Sequence, residues 1–442
     1  MYTHSASIPL IGSLSVEHFT FSNGLQVAVV EDPTTPIFTY QTWFKAGSAD
    51  EHAGYQGLAH LFEHMMFRKT KHLEMGEWER EVNSNGGTGI NAYTSRDQTV
   101  YFFTFPNEKL DLASRLEADR MSNLVIEPEM FETEKGAVLT ERNRGLDNPG
   151  RYLWEELYKL AYTRHNYRYS IIGEEESIKK FSVEEAQKFY ETYYSPNNSL
   201  IIVAGDVRSK NVLEAIDRHY ERFPQSSISH RTVTTEPEQT ENRSLSLTHP
   251  KATQRIMAKS WHIGNMLHPD YPALYIAGKV LAGLKTSMLQ QRLFNTGKAR
   301  NVHTDVFTGR DLGTFEFYAE LSQGEESSGI ESILEETFHD AASGKIDDEL
   351  FVIVKNSIEK DFYSDVSVPS SLARLIGDGF IFANDLAYQV SLLKKYTDVT
   401  IADIQKVIQT YLIDGKSTTV YVSQNLESFH GKSTTVYVSP AQ

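Results

Sequence analysis

A chain of 442 residues exceeds the usual span of one domain, so two or more domains are expected. Its 59 acidic against 43 basic residues give a formal charge of -16, a field that repels nucleic acid and leaves it an unexpected partner. With no cysteine, disulfides and thiolate-held zinc are excluded, and any metal must be held by His, Asp or Glu.

The opening MYTHSASIPLIGSLSVEHF lacks the basic start and apolar stretch of a signal peptide, and no run approaches the roughly 18 apolar residues of a membrane span. The chain is therefore read as soluble, without membrane insertion. A bacterial cytoplasm or periplasm is expected ahead of an organelle, with the compartment itself left open. FTFSNGLQVAVVED then holds two β-rich runs around Asn23-Gly24, a strong hairpin signal, and PIFTYQTWFKAGS adds a further strand. GYQGLAHLFEHMMF reads as a helix, as do 74–86 and 107–123, and INAYTSRDQTVYFFTF between those two reads as strand, turn, strand. Helical patterns follow at 129–145, 151–162 and 182–194 before SLIIVAGDV returns to strand, giving an α+β layer.

Residues 225–247, QSSISHRTVTTEPEQTENRSLSL, are polar and poor in large apolar side chains, which marks a linker. The expected division is a first domain at 15–224 and a second at 248–442. Beyond the linker, ATQRIMAKSWHI reads as strand, YPALYIAGKVLAG as helix and GTFEFYAELS as strand, so the second half revisits the first half's element types. The expected fold class is α+β, with two similar domains, each a mainly antiparallel sheet with helices on one face. GKSTTVYVS occurs at 415–423 and again at 431–439; Thr410 and Leu426 stand where a phosphate loop needs glycine, so nucleotide binding is rejected. The repeat is read as one edge strand and a duplicated copy in the tail.

Chemistry concentrates in HLFEH. His60 and His64, four apart on a helix, share a face, with Glu63 beside them. Two imidazoles supply part of a zinc site whose open position admits water, and Glu63 is placed to take that water's proton. Leu58, Ala59, Leu61, Phe62, Met65, Met66 and Phe67 make the helix apolar almost all round, so the buried polar trio calls for a compensating partner such as a metal. ETEKGAVLTERNR offers Glu134 and Glu141, seven apart on nearly one helical face. Glu141 can close the site and Glu134 can orient a ligand or the water, although a Glu-rich helix is more often a solvated face.

HLFEH inverts the common His-Glu-x-x-His signature. With SNGLQVAVVED, WFKAGSADEHAGYQGLAHLFEHMMF, GGTGINAYTSRDQTVYF, LEADRM, FETEKGAVLTERN and YYSPNNSLIIVAGDV, it resembles the pitrilysin/insulinase family of zinc peptidases, which includes the mitochondrial processing peptidases. The resemblance implies one zinc per chain on His60, His64 and Glu141, with Glu63 as general base and Glu134 as a further active-site carboxylate. It also implies a closed clamshell chamber, and peptide substrates bound as an added strand along INAYT, at Asn91, Ala92 and Tyr93.

The second half departs from the family pattern. Members that act alone carry an Arg and, seven residues on, a Tyr that reach the substrate; here Phe294 and Asn301 occupy those positions, with Arg292 and Arg300 nearby. The resemblance is therefore to the zinc-bearing subunit of a two-chain member. A related partner without the zinc motif would supply the missing pair as a heterodimer, with a homodimer as the other arrangement. The implied function is a zinc metalloendopeptidase or oligopeptidase acting on unfolded peptides. The rivals are a non-catalytic structural subunit, like the family's respiratory-complex core proteins, and a module that holds peptides without cutting them.

Overall fold

The Asn23-Gly24 hairpin forms as expected, between strands β2 (Ser15–Phe21) and β3 (Gln26–Glu31). The structure, a computed structural model, describes residues 1–227 and 233–425, and the backbone of 435–438. Strand β1 (Tyr2–Pro9), which no sequence signal announced, pairs with β2. The first sheet is completed by β4 (Ile37–Phe44), β5 (Thr88–Thr94), β6 (Thr99–Pro106) and β7 (Ser199–Gly205) in the order β1-β2-β3-β7-β4-β6-β5. Only β3 and β7 run parallel.

The helices of the first half are α1 (Leu58–Met65), α2 (Glu77–Ser84), α3 (Leu110–Asn123), α4 (Pro128–Leu146), α5 (Pro149–Ala161), α6 (Glu175–Lys180), α7 (Val183–Tyr193) and α8 (Ser209–Tyr220). The second sheet comprises β8 (Arg243–Thr248), β9 (Ile256–Ile263), β10 (Ala299–Thr308), β11 (Gly313–Leu321), β12 (Ser417–Ser423) and β13 (Thr435–Val438), in the order β10-β11-β9-β12-β8-β13. The helices of the second half are α9 (Tyr271–Gly278), α10 (Ser327–Ala342), α11 (Asp348–Val366), α12 (Pro369–Ala383), α13 (Tyr388–Asp398) and α14 (Ile401–Val407).

Five strands of each sheet correspond in order and direction. The series β3-β7-β4-β6-β5 matches β8-β12-β9-β11-β10, with the first pair parallel and the rest antiparallel in both. This duplication of an α+β layer bears out the expected class of two similar domains with mainly antiparallel sheets, but each sheet carries helices on both faces rather than on one. Strand β8 begins inside the stretch expected as linker, because Leu245 and Leu247 alternate onto a buried face.

The chain forms two units that each borrow one helix. Met1–Arg142, Tyr169–Thr232 and Tyr363–Ser391 make the first, and Asn143–Arg168, Val233–Phe362 and Leu392–Gln442 the second. In the first unit, Phe38, Tyr40, Phe44, Ile201 and Val203 point from β4 and β7 into the main core with α1, α3, α7 and α8. The alternate residues face α12: Trp43 packs against Gly377, where a Cβ would lie 2.1 Å from the indole, and Gln41 Nε2 donates to the Ser370 carbonyl at 2.9 Å. Both faces being covered, β4 and β7 are buried almost end to end, and β7 reads as a nearly unbroken apolar run. In the second unit α5 takes the equivalent place, setting Leu153 and Leu157 against Leu245, Leu247, Ala258, Val420 and Val422.

The first copy of the repeat is not an edge strand. β12 is buried along its whole length between β9 and β8, and its apolar residues face α5 on one side and the second core on the other. In the second copy Thr435–Val438 pairs with the far side of β8, while the flanking 426–434 and 439–442 lie outside the described residues.

On α12, burial beside a single half-exposed cation, Arg374 at 3.6 Å, pushes the Asp378 carboxyl up to about 7. The folded chain then keeps a proton that the unfolded chain releases, so stability declines as pH rises from about 4 to about 7. Asp378→Asn is expected to unfold like the parent near pH 4 and to be more stable by up to a few kcal/mol at pH 8. Thermal unfolding at the two pH values checks this; an equal difference at both would contradict it.

Candidate metal centre

The start of α1 is built to hold a short buried helix. Glu51, 4% exposed, accepts from the Gly57 and Ala59 amides at 2.9 and 2.8 Å, so a carboxylate satisfies the first-turn donors that α1 leaves open. Gly57 adopts φ 105, and a Cβ there would lie 2.5 Å from the Ile172 carbonyl oxygen, so only glycine fits. Phe62 anchors the buried side by stacking on Phe189 and Tyr190 of α7 at 5.4 and 6.0 Å, a burial that contributes about 2–3 kcal/mol. Tyr101 Oη on β6 donates to the Phe62 carbonyl at 3.2 Å and ties the helix to the sheet.

With α1 fixed, both imidazoles project towards α4. Glu141 Oε2 lies 3.4 Å from His64 Nε2 and 3.7 Å from His60 Nε2. One ligand atom from each of His60, His64 and Glu141 falls within 4.8 Å of the others, and no other such group is found among the described residues. Two imidazole nitrogens and a carboxylate oxygen are the donor chemistry zinc accepts. The field is equally suited to a cation: Glu134 first, then Glu141 and Glu63, hold the His64 imidazolium above its usual pKa despite burial.

Glu134, one face-repeat earlier on α4, is nearly buried and turns to the other nitrogen of the same ring, with Oε2 3.7 Å from His64 Nδ1. Burial raises its pKa, but the contacts with His64 and Arg68 outweigh that and leave it below the usual carboxylate range. Glu63 is held on the sheet side, where Thr94 Oγ1 donates to its Oε2 at 2.7 Å. Burial raises the Glu63 pKa, with the Thr94 hydrogen bond and His64 opposing.

The structure thus gathers His60, Glu63, His64, Glu134 and Glu141 around one point, with Thr94 at the end of β5. It treats Asn91, Ala92 and Tyr93 differently. They lie on β5, the last strand of the first sheet, whose outer edge no described strand covers. Tyr93 turns away from α1 and meets Trp43 edge-on at 6.2 Å. Ala92 N donates to Asn91 Oδ1 at 2.9 Å, so the Asn91 side chain folds back on its own strand, and it is the Thr94 side chain that reaches the centre from β5. Sequence reasoning missed Glu51, Arg68 and Thr94. The only signal for them was position, beside a motif or at a strand end.

A sequence model of the insulinase family (peptidase family M16) matches residues 26–175, and one of the peptidase M16 inactive domain matches 180–358. The chain belongs to the insulinase family of peptidases. Among relatives in this family, a zinc protease, PqqE, of Helicobacter pylori is 28% identical over 413 residues, covering 92% of each chain. The beta subunit of the mitochondrial-processing peptidase of Bos taurus is 32% identical over 198 residues, 45% of this chain and 40% of that one. The crystal structure of a protease from Helicobacter pylori superposes with a TM-score of 0.87 at 28% identity, over 92% of this chain and 99% of the other. Family membership makes the chain a peptidase homologue with the insulinase fold. No helix among the described residues is long and apolar enough to cross a membrane.

Proposed function

We propose that the chain is a zinc-dependent metallopeptidase that hydrolyses unfolded peptides, with the first unit carrying the catalytic residues and the second a domain of like fold, in place of the simple 15–224 and 248–442 division. The observation that carries this reading is the convergence of His60, His64 and Glu141 on one point, with Glu63 at its side. Zinc held by these three residues supplies Lewis-acid polarisation of the scissile carbonyl and lowers the pKa of water. Glu63, its basicity raised by burial, accepts the proton of the attacking water and returns it to the departing amine nitrogen. Thr94 fixes the Glu63 carboxylate for both transfers. The free edge of β5, at Asn91, Ala92 and Tyr93, takes the substrate as an added strand, a mode that reads main chain more than side chain.

The second domain supports dependence on a partner. Arg292 is committed to α10, with Nη2 2.6 Å from Asp340 Oδ2 and Nη1 donating to Thr337 Oγ1 at 3.2 Å. Phe294 is an exposed apolar side chain, and Asn301 lies exposed on β10. A related subunit lacking the zinc motif is proposed to bring the Arg/Tyr pair and close the chamber, in keeping with a relative that is itself named a subunit. Cleavage of a quenched fluorescent peptide should vanish on chelation and return with one equivalent of zinc, in the chain alone or only after the partner is added. Cleavage that persists in metal-free protein contradicts the reading.

A further inference from the structure

Arg68 stands just past the end of α1 and engages both oxygens of Glu134. Its Nη2 donates to Oε2 at 3.1 Å and its Nε lies 2.8 Å from Oε1. The guanidinium thus meets both carboxylate oxygens, one through a hydrogen bond and the other through a close ion-pair contact without hydrogen-bond geometry, and limits the carboxylate's rotation. Glu134 is otherwise nearly buried on α4, and the same Oε2 that Arg68 holds faces His64 Nδ1 at 3.7 Å. The opposite nitrogen of that ring, Nε2, faces Glu141. A line of groups therefore runs from Arg68 through Glu134 and His64 to the point where the metal ligands converge.

From this geometry we infer that Arg68 is a positioning residue for the metal centre: by clamping Glu134 it holds a carboxylate charge 3.7 Å from His64 Nδ1, which favours the ring proton on that nitrogen and leaves the Nε2 lone pair for the metal. The inference rests on the zinc reading of His60, His64 and Glu141. The other tautomer, with its proton on Nε2, would remove a ligand, so a freely turning Glu134 carries a cost in affinity. A lysine at this position keeps the charge but cannot grip both oxygens.

The test measures zinc affinity by competition with a chromogenic chelator, without recourse to activity, in the wild type, Arg68→Gln, Arg68→Lys, Glu134→Gln and the Arg68→Gln/Glu134→Gln double variant. Thermal unfolding of each metal-free protein identifies variants that fail to fold. Arg68→Gln is expected to weaken zinc binding about 10- to 100-fold, with Arg68→Lys intermediate. The double variant should bind as Glu134→Gln does, because the arginine acts only through that carboxylate. Unchanged affinity in a folded Arg68→Gln, or losses that multiply in the double variant, would overturn the inference while leaving the zinc centre standing. A wild type that binds no zinc removes the centre itself.

Discussion

Glu63→Gln should retain one zinc per chain and lose at least about 10³-fold in turnover. The substitution preserves shape and the contact with Thr94 Oγ1, which the amide can still accept, so the fold of α1 and the three candidate ligands are untouched. What disappears is the only function assigned to Glu63, taking and returning a proton. Such groups are commonly worth about 10²–10⁴ in rate, and here one residue serves both transfers. Burst and steady-state hydrolysis, together with metal analysis of the same sample, separate the cases. A variant that keeps a tenth of the parent turnover, or that loses its zinc, contradicts the role.

The second large effect lies beneath the centre. Arg120 and Glu117, each 1% exposed, form an ion pair at 2.7 Å, and Thr42 Oγ1 donates to the same Glu117 oxygen at 2.9 Å. The guanidinium lies over Trp78 and Tyr101, 4.5 Å from each ring, and Tyr101 is the residue that ties α1 to the sheet. Burial works against the charged form of Glu117, and Arg120 is the first influence that offsets it. Arg120→Ala should therefore destabilise the chain by about 3–5 kcal/mol by leaving a buried carboxylate without its cation. Arg120→Met combined with Glu117→Leu should recover most of that loss, since no charge is then stranded. Chemical denaturation of the three proteins, followed by tryptophan fluorescence, decides; a double variant as unstable as Arg120→Ala would show that packing, not charge, sets the cost.

Much of the centre was legible because its parts are local. Apolar residues surrounding His60 and His64 announced a buried helix, and the spacing of Glu134 and Glu141 put both on one side of α4. The hairpin at Asn23-Gly24 and the runs of β4, β7, β9 and β11 also declared themselves through β-rich composition. Contacts between distant segments did not. Nothing in the neighbourhood of Glu51 says that its carboxylate will cap α1, and nothing near Arg68 says that it will meet a glutamate 66 residues on. Strand β10, ARNVHTDVFT, alternates polar and apolar residues too irregularly to stand out, and a register shift between Ala299 and Asn301 interrupts it further. The borrowing of α5 by the second unit and α12 by the first is a property of tertiary pairing. Its trace in sequence is faint: β7, SLIIVAG, is apolar on both faces, which requires a second covering layer, whereas β4 and β12 carry Thr, Gln and Ser among their buried residues.

The most direct test is anomalous diffraction at the zinc absorption edge from crystals grown with stoichiometric zinc. One peak per chain, about 2.0–2.2 Å from His60 Nε2, His64 Nε2 and a Glu141 carboxylate oxygen, is the expected result. A peak elsewhere, or none at these three residues in protein that binds zinc in solution, would contradict the assignment of the centre.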